Sequence, residues 1–427
     1  MRAQGSPHAR VPRRVPVVTA FLTDGSRIAL FERSDRVGSY ARRWAGVSGY
    51  VERLPLDQAL VEIAEETGLA PDAVELSGIG IPVEVDDAAA GRSWLVYPFL
   101  FNVVDPGAVR FDWEARRVEW FAPGDLAGLH SVPGLERALA AVWPPFGNSR
   151  LWESLASVAV DTVHGATALA VSGLRAVREY LAGGCETPEM RTRAALALAA
   201  CRPSMGVFPN LAAKLLLSNV SAGDLEVRLT EAGSLSASFA AAALDGYARV
   251  LTNSCSGCVR DALLIRARSA RPFEVVAMES RPGMEGVTLA RELAAGGLSV
   301  SVITDAQAGL WIQDTDAVIV GCDAILEDNT LQNKAGTRLM ALAARDAGVP
   351  CMACAQTFKI MPPGFPHSLE EQDPNRVGQA DGVRFRNLVF DSTPLSFFEA
   401  VYTENDALTP EHLEAARQRL GAAGLPT

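Results

Sequence analysis

Short apolar runs alternate with turn residues through the first third of the chain. Four of these runs have the β-branched and aromatic content of strands: VPVVTAFL, RIALFER, WLVYPFLFNVV and VEWFAP. One stretch, PLDQALVEIAEETGL, has helical spacing instead, and Gly68 is placed as its C-terminal stop. The pattern predicts an α+β domain over residues 15–143, preceded by a disordered leader at residues 1–14.

A second pattern follows the segment WPPFGNS at residues 143–149, whose two prolines and glycine predict a domain boundary. Residues 150–240 are rich in Ala and Leu and predict a helical subdomain. Over residues 241–427, apolar runs such as FEVVAMES and DAVIVGCDAI alternate with helix-like stretches. Strands that alternate with helices form parallel sheets through right-handed crossovers. The predicted fold class is therefore α/β, with a Rossmann-like parallel-sheet domain at the C-terminal end.

Composition narrows the function classes. The 427 residues carry 39 Lys and Arg against 50 Asp and Glu, a net charge of −11, which argues against a nucleic-acid partner attracted by bulk charge. No apolar run approaches the ~20 residues that span a bilayer. Seven cysteines are too few for a disulfide scaffold and favour a reducing compartment. We therefore expect a cytoplasmic protein without a membrane partner.

The helix predicted in the first domain carries three glutamates, Glu62, Glu65 and Glu66. Spacings of three and four place Glu62 beside both of the others on one helix face. Like charges that are so close repel one another unless a cation lies among them, and a hard divalent ion prefers oxygen ligands. A solvated acidic face is the alternative interpretation, and the spacing alone does not exclude it.

Further residues around this helix carry a family resemblance: Gly49–Glu52 precede it, and Glu119–Phe121 follow on a predicted strand. Residues 15–143 resemble the Nudix hydrolases. The resemblance implies that Glu62, Glu65 and Glu66 bind Mg²⁺ or Mn²⁺ beside a diphosphate, where water attacks phosphorus. Ser48 and Val61 stand where the family has Gly and Arg, so a degenerate domain that binds or hydrolyses a nucleoside diphosphate compound is expected.

In the C-terminal half, polar residues collect where the predicted strands end. They are Thr252–Gly257, Glu279–Pro282, Asp305 and Gly321–Asp323. Ligands of open parallel sheets bind at the carboxyl ends of the strands. A loop through Asn333–Thr337 then opens a predicted helix, where Lys334 and the backbone N–H groups suit a phosphate. Arg281 is a candidate clamp for a second phosphate.

These motifs, together with Phe390–Pro394, resemble the translation initiation factor 2B α/β/δ subunits and the isomerases of ribose 1,5-bisphosphate and methylthioribose 1-phosphate, over residues 150–420. The resemblance implies a homodimer and phosphate contacts from His164, Arg202, Arg281, Asn333 and Lys334. It also implies acid–base chemistry by Asp323 and a cysteine after the first strand.

That cysteine position falls on Ser254, with Cys255 one residue later. Successive strand residues face opposite ways, so Cys255 can replace Ser254 only if the strand has already become loop. A serine there also resembles the non-catalytic subunits. Two functions therefore stay open: an aldose–ketose isomerase of a phosphorylated ribose, and a regulatory protein that binds a nucleotide or sugar phosphate without chemistry.

The remaining cysteine signal is a second C-x-x-C. Cys255 and Cys258 form one such pair, and Cys351 and Cys354 form the other. Two pairs can make a four-thiolate zinc site. Cys351–Cys354, however, lie in an apolar run that predicts a buried strand with its cysteines on opposite faces. We expect free buried cysteines.

Overall fold

A computed structural model of the chain describes residues 13–87, 91–145, 149–183, 186–217, 220–269 and 271–425. Most of the predicted leader and the centre of the predicted boundary segment, residues 146–148, lie outside the described residues. The predicted leader, residues 1–14, ends too late. Arg13 and Arg14 already begin the first strand and pair with Arg92 and Ser93 of a parallel strand.

A mixed sheet forms the N-terminal domain. Its long strands β1 (Arg13–Thr23) and β7 (Arg92–Val103) run parallel, and the other pairs are antiparallel. The remaining strands are β2 (Ile28–Arg33), β3 (Trp44–Ala45), β4 (Val47–Tyr50), β5 (Val74–Ile79), β6 (Val83–Asp87) and β8 (Ala115–Phe121). The helices are α1 (Pro55–Thr67) and α2 (Leu135–Ala140).

The predicted end of α1 is confirmed. Gly68 has a left-handed φ of 72°, a conformation that costs energy for a residue with a side chain. Its N–H donates to the carbonyl oxygen of Ala64. Leu56, Ala59 and Ile63 are buried along the helix, so its apolar stripe covers the sheet.

The Ala-rich and Leu-rich region is helical, as its composition predicts. Its helices are α3 (Ser149–Val160), α4 (Ala166–Ala182), α5 (Pro188–Cys201), α6 (Val207–Leu217) and α7 (Ala222–Ala243). One continuous apolar core joins these helices to the N-terminal sheet, so the two units pack directly on each other. No helix of the described residues is both long and apolar enough to cross a membrane.

The C-terminal domain contains the predicted parallel sheet. Its strands lie in the order β11-β10-β9-β12-β15-β17-β18, and only β18 is antiparallel. They are β9 (Arg249–Thr252), β10 (Glu274–Met278), β11 (Ser299–Ile303), β12 (Ala317–Val320), β15 (Cys351–Cys354), β17 (Ala400–Thr403) and β18 (Asp406–Ala407). The helices are α8 (Gly257–Arg266), α9 (Glu285–Ala295), α10 (Ala308–Trp311), α11 (Thr337–Ala347) and α12 (Pro410–Gly421). The strand order reverses between β9 and β12, and a crevice at such a switch point is where this architecture binds ligands.

A small antiparallel sheet corrects one prediction. Asn333 and Lys334 do not lie in a loop: they end strand β14 (Thr330–Lys334), which lies between β13 (Ala324–Ile325) and β16 (Phe390–Pro394). The pairing with β16 supplies long-range hydrogen bonds that local sequence does not show. Helix α11 begins immediately afterwards, as predicted, because Gly336 turns the chain with a φ of 104°.

Candidate functional site

The loop after β9 lies at the switch point of the parallel sheet. Ser254 has a left-handed φ of 64°, and its N–H donates to Ser280 Oγ at 2.7 Å. The strand has therefore become loop before Cys255. Cys255 could replace Ser254 only if this were so, and the structure meets that requirement. Ser256 presses against Gly321 at the end of β12: a Cβ on that glycine would lie 2.6 Å from Ser256 Cβ.

The thiol of Cys255 is half-buried. Burial raises its pKa to about 11, and Glu292 and Glu285 add to the rise while Arg260 opposes it. A thiol with this pKa is protonated at neutral pH and is a poor nucleophile or base. In this arrangement Cys255 is suited to donate a proton rather than to remove one.

Asp323 follows β12 and is held by its backbone on both sides. Its N–H donates to Gln332 O at 2.8 Å, and its carbonyl accepts from Gly206 N at 2.9 Å. Burial raises the pKa of the carboxyl, and the nearby Lys359 is the largest opposing influence. A buried carboxyl whose pKa is raised in this way is a general-acid candidate.

Lys359 is a residue that the sequence analysis missed. It is buried, at 4 % exposure, in the 3₁₀ turn that follows β15. Its charge lowers the pKa of Asp323, so the ammonium group lies near that carboxyl. A buried lysine is rare unless it is paired or functional, and this rarity is the signal that could have identified it.

Lys334 and Asn333 are both buried where β14 ends. Lys334 Nζ lies 2.7 Å from Glu285 Oε1, at the start of α9. Asn333 Nδ2 and Asn253 Nδ2 both donate to Thr337 Oγ1, at 2.9 and 3.1 Å. The structure thus brings the loop after β9, the start of α9 and the end of β14 together, and it gives the candidate phosphate-binding lysine a carboxylate partner within the chain.

Arg202 has a different environment from the one expected. Its Nη2 contacts both carboxylate oxygens of Glu370, at 2.8 and 3.0 Å, and its Nη1 donates to Asp161 O at 2.6 Å. Both side chains of the pair are 3 % exposed, and Ser204 Oγ donates to the same carboxylate. The guanidinium is therefore part of a buried network that ties α5 to the segment before β16, instead of facing an open pocket.

His164 and Arg281 are exposed at the surface. His164 is exposed, and its Nδ1 lies 2.7 Å from Asp161 Oδ2. A Cβ on the next residue, Gly165, would lie 3.8 Å from the carbonyl oxygen of Cys255, so this turn adjoins the loop after β9. Arg281 is exposed, and Asp305 accepts its backbone N–H at 2.7 Å.

The cysteine pairs do not form a zinc site. Cys351 and Cys354 pack into different apolar clusters on the two faces of the sheet, as predicted. A hydrogen bond between Cys258 and Cys354 raises the pKa of the Cys354 thiol. Among the described residues, no group of three or more His, Cys, Asp or Glu side chains is arranged to hold a metal ion.

A second candidate site is a cavity of about 320 Å³ in the N-terminal domain. Tyr40, Tyr50 and Trp94 form an aromatic wall, and Glu62 and Glu114 line the same cavity. The ring centroids of Tyr50 and Trp94 are 6.3 Å apart, and Trp94 Nε1 donates to the Tyr40 hydroxyl at 3.0 Å. The cavity lining thus combines aromatic surface with carboxylates.

The predicted glutamates occupy different environments. Glu62 accepts from Gln58 at 2.8 Å and lies over Gly49, where a Cβ would be 1.8 Å from its Oε1. Glu66 accepts the Ser48 N–H at 3.0 Å, and burial raises its pKa to about 8. Glu65 is exposed.

Glu114, which sequence reasoning missed, is the second largest influence that raises the pKa of Glu66. Glu62 raises it further, so the buried Glu66 lies close to the two carboxylates that line the cavity, Glu62 and Glu114. Their oxygens suit a hard cation in kind, and a cation would relieve their repulsion, but the three described carboxylates are not already arranged as a metal site.

Comparison with known proteins identifies the C-terminal half. The model of the family described as "Initiation factor 2 subunit family" matches residues 163–410. The chain belongs to this family. The match begins after the N-terminal domain, so the family assignment covers α4 onward and leaves the Nudix resemblance as a prediction.

Similarity to individual proteins supports the same family assignment. The eIF-2B subunit 2-like protein of Pyrococcus abyssi is 33% identical over 274 residues, which cover 61% of this chain and 97% of the relative. A protein named ribose 1,5-bisphosphate isomerase from Archaeoglobus fulgidus is 35% identical over 189 residues, 42% of this chain and 60% of its own length. The crystal structure of the translation initiation factor eIF-2B of Pyrococcus horikoshii OT3 superposes with a TM-score of 0.55 at 30% identity, covering 62% of this chain and 98% of that one.

Proposed function

We propose that the C-terminal half of this initiation factor 2 family member isomerises a phosphorylated ribose from aldose to ketose. The observation that carries the proposal is the position of Asp323 at the switch point, with a raised pKa and Lys359 and Lys334 near it. Relatives named as isomerases of ribose 1,5-bisphosphate and of methylthioribose 1-phosphate support it.

The chemistry required is the transfer of hydrogen between C2 and C1 of the opened sugar. As the bond from C1 to the ring oxygen breaks, Asp323 in its acid form would give a proton to the ring oxygen. The C2 hydrogen would then move to C1 with its electron pair, and Asp323 would take back the proton of the C2 hydroxyl, which becomes the ketone. Lys359 would stabilise the negative charge on oxygen. The Cys255 thiol, or the Ser254 hydroxyl, would supply the second proton-carrying group.

Turnover of both sugars by the purified full chain tests this proposal. We expect ketose formation by the wild type and a loss of at least about 100-fold in Asp323→Asn, a typical contribution of general acid–base catalysis. Cys255→Ala and Ser254→Ala, compared side by side, identify the second group. If both retain full activity, neither side chain has this role.

For the N-terminal domain we propose binding of a nucleoside diphosphate compound, with the base against Tyr50 and Trp94 and the diphosphate toward Glu62 and Glu66. Mg²⁺ or Mn²⁺ would be held by these carboxylates, and when bound it would supply charge neutralisation and an activated water. Calorimetry with ADP-ribose, with and without Mg²⁺, tests this. Binding that is unchanged in Trp94→Ala would exclude the aromatic wall as the base site.

A second candidate function is regulation by ligand binding without chemistry. Two observations favour it: the Cys255 thiol has a pKa of about 11, and Lys334 is already paired with Glu285. Binding of a sugar phosphate by wild type and Asp323→Asn alike, with no product from either, would support this function over isomerisation. The homodimer stays a prediction, which light scattering tests.

A further inference from the structure

Glu285 changes the charge that the site at the switch point of the parallel sheet offers to a ligand. Its Oε1 lies 2.7 Å from Lys334 Nζ, and the lysine side chain is only 5 % exposed. An ion pair shielded in this way is weakly screened, so the lysine presents little free positive charge to a phosphate. The residue that suits a phosphate by type is therefore largely neutralised by a carboxylate that lies 49 positions away in sequence.

The backbone fixes this carboxylate in place. A Cβ on Gly283 would lie 2.2 Å from Glu285 Oε1, and a Cβ on Gly286 would lie 1.7 Å from the carbonyl oxygen of Met278. Because a side chain at either position would clash, glycine at positions 283 and 286 leaves room for the Glu285 carboxylate and for the β10 carbonyl. Met284 adopts a left-handed φ of 61° immediately before it. This local geometry, together with the contact to Lys334, fixes the position of the Glu285 side chain at the start of α9.

Glu285 also has an acceptor to offer. Its Oε2 is buried and has no hydrogen-bond partner. Asn253 Oδ1 is in the same state, and its amide orientation is fixed, because Thr337 gives its own proton to Lys334 O and must accept from Asn253 Nδ2. Two buried acceptors that lack donors favour a ligand that brings hydroxyl groups.

The balance of charge points the same way. Around Asp323, the cations are Lys359, Lys334 and Arg202. The anionic groups are Asp323 itself, Glu285, which pairs with Lys334, and Glu370, which pairs with Arg202. Apart from the exposed Arg281, this site has as many carboxylates as cations, which is too little positive charge for two dianionic phosphates.

We propose that Glu285 is a specificity residue that selects a ribose with a single phosphate: its carboxylate accepts a sugar hydroxyl and repels a second phosphate at Lys334. This inference rests on the proposed function and narrows its substrate class. Methylthioribose 1-phosphate and ribose 1,5-bisphosphate are the natural pair of probes, since they share the 1-phosphate and differ at C5 in a thioether or a phosphate.

Calorimetric titration of the full chain with both sugars at pH 8 tests the proposal. We expect the wild type to bind methylthioribose 1-phosphate at least tenfold more tightly. Glu285→Gln, which keeps the shape and removes the charge, should shift the ratio of the two affinities at least tenfold toward the bisphosphate. Glu292→Gln is the matched control, since it removes a carboxylate from the same helix that pairs with Arg260 instead.

Each outcome has a distinct meaning. A wild type that prefers the bisphosphate overturns the role of Glu285 without need of any variant, and leaves the proposed function standing. An equal ratio in wild type and Glu285→Gln does the same. Failure of both sugars to bind to the wild type overturns the proposed function together with the inference.

Discussion

Glu66 gives a quantitative prediction about the N-terminal cavity. Burial, with Glu114 and Glu62, raises its pKa from 4.5 to about 8. The folded protein therefore binds this proton more tightly than the unfolded chain, so the stabilising contribution is present below pH 4.5 and is lost as the pH rises through 8. At ~1.4 kcal/mol per tenfold change in proton affinity, the loss approaches about 5 kcal/mol above pH 8.

The perturbation is Glu66→Gln, which removes the charge and keeps an oxygen for the Ser48 N–H. We expect the variant to be more stable than the wild type, with a gain that grows by about 4 kcal/mol between pH 5 and pH 8.5. Urea unfolding followed by tryptophan fluorescence at several pH values measures it. Glu65→Gln is the control. Glu65 is next to Glu66 in sequence but is exposed, so its replacement should show no such dependence of stability on pH.

A gain in Glu66→Gln that is the same at pH 5 and pH 8.5 would refute the reasoning, because it would place the Glu66 carboxyl in water. Addition of Mg²⁺ extends the test. A cation held by Glu66 stabilises the charged form, so it should stabilise the wild type at pH 8.5 and have no such effect on the variant.

Three further predictions concern the C-terminal half. Glu370→Gln should cost about 3 kcal/mol or more in unfolding free energy, because Arg202 is left as an uncompensated buried charge; a cost below about 1 kcal/mol in urea unfolding would contradict it. Gly286→Ala should lower the melting temperature strongly by a clash with the β10 carbonyl, whereas Gly257→Ala, with open space around it, should not. Iodoacetamide labelling of Cys255, followed by mass spectrometry, should accelerate about tenfold per pH unit from pH 7 to 10; a plateau by pH 9 would show a pKa well below 11.

Periodicity predicted the elements well because it is a local signal. The buried runs of the C-terminal half became β9, β10, β11, β12 and β15 in one parallel sheet. The polar residues at their ends came together for a geometrical reason, since the carboxyl ends of parallel strands share one edge.

The electrostatic partners could not be predicted, because they are distant in sequence. Glu370 lies 168 positions from Arg202, and no local pattern links the two. Glu285 neutralises Lys334 across 49 positions, and Lys359 lies in an apolar run that gives no sign of chemistry. Sequence thus indicated which residues could meet a ligand, whereas only the fold determined which charges remain available.

The same distinction applies to the first domain. The glutamates of α1 were evident from their spacing, but Glu114 lies on a different part of the chain and enters the cavity through the fold. Helical spacing placed Glu65 with Glu62 and Glu66, whereas in the folded domain Glu65 is exposed to solvent. Spacing defines a face of a helix but not the orientation of that face against the sheet.

Asp323 is the residue that we propose carries out acid–base chemistry on a sugar phosphate. The most direct measurement is NMR of the full chain incubated in D₂O with methylthioribose 1-phosphate or ribose 1,5-bisphosphate, in wild type and Asp323→Asn. We predict the ketose product from the wild type, with loss of product in the variant. No product from either sugar, or equal rates in the two proteins, would contradict the claim.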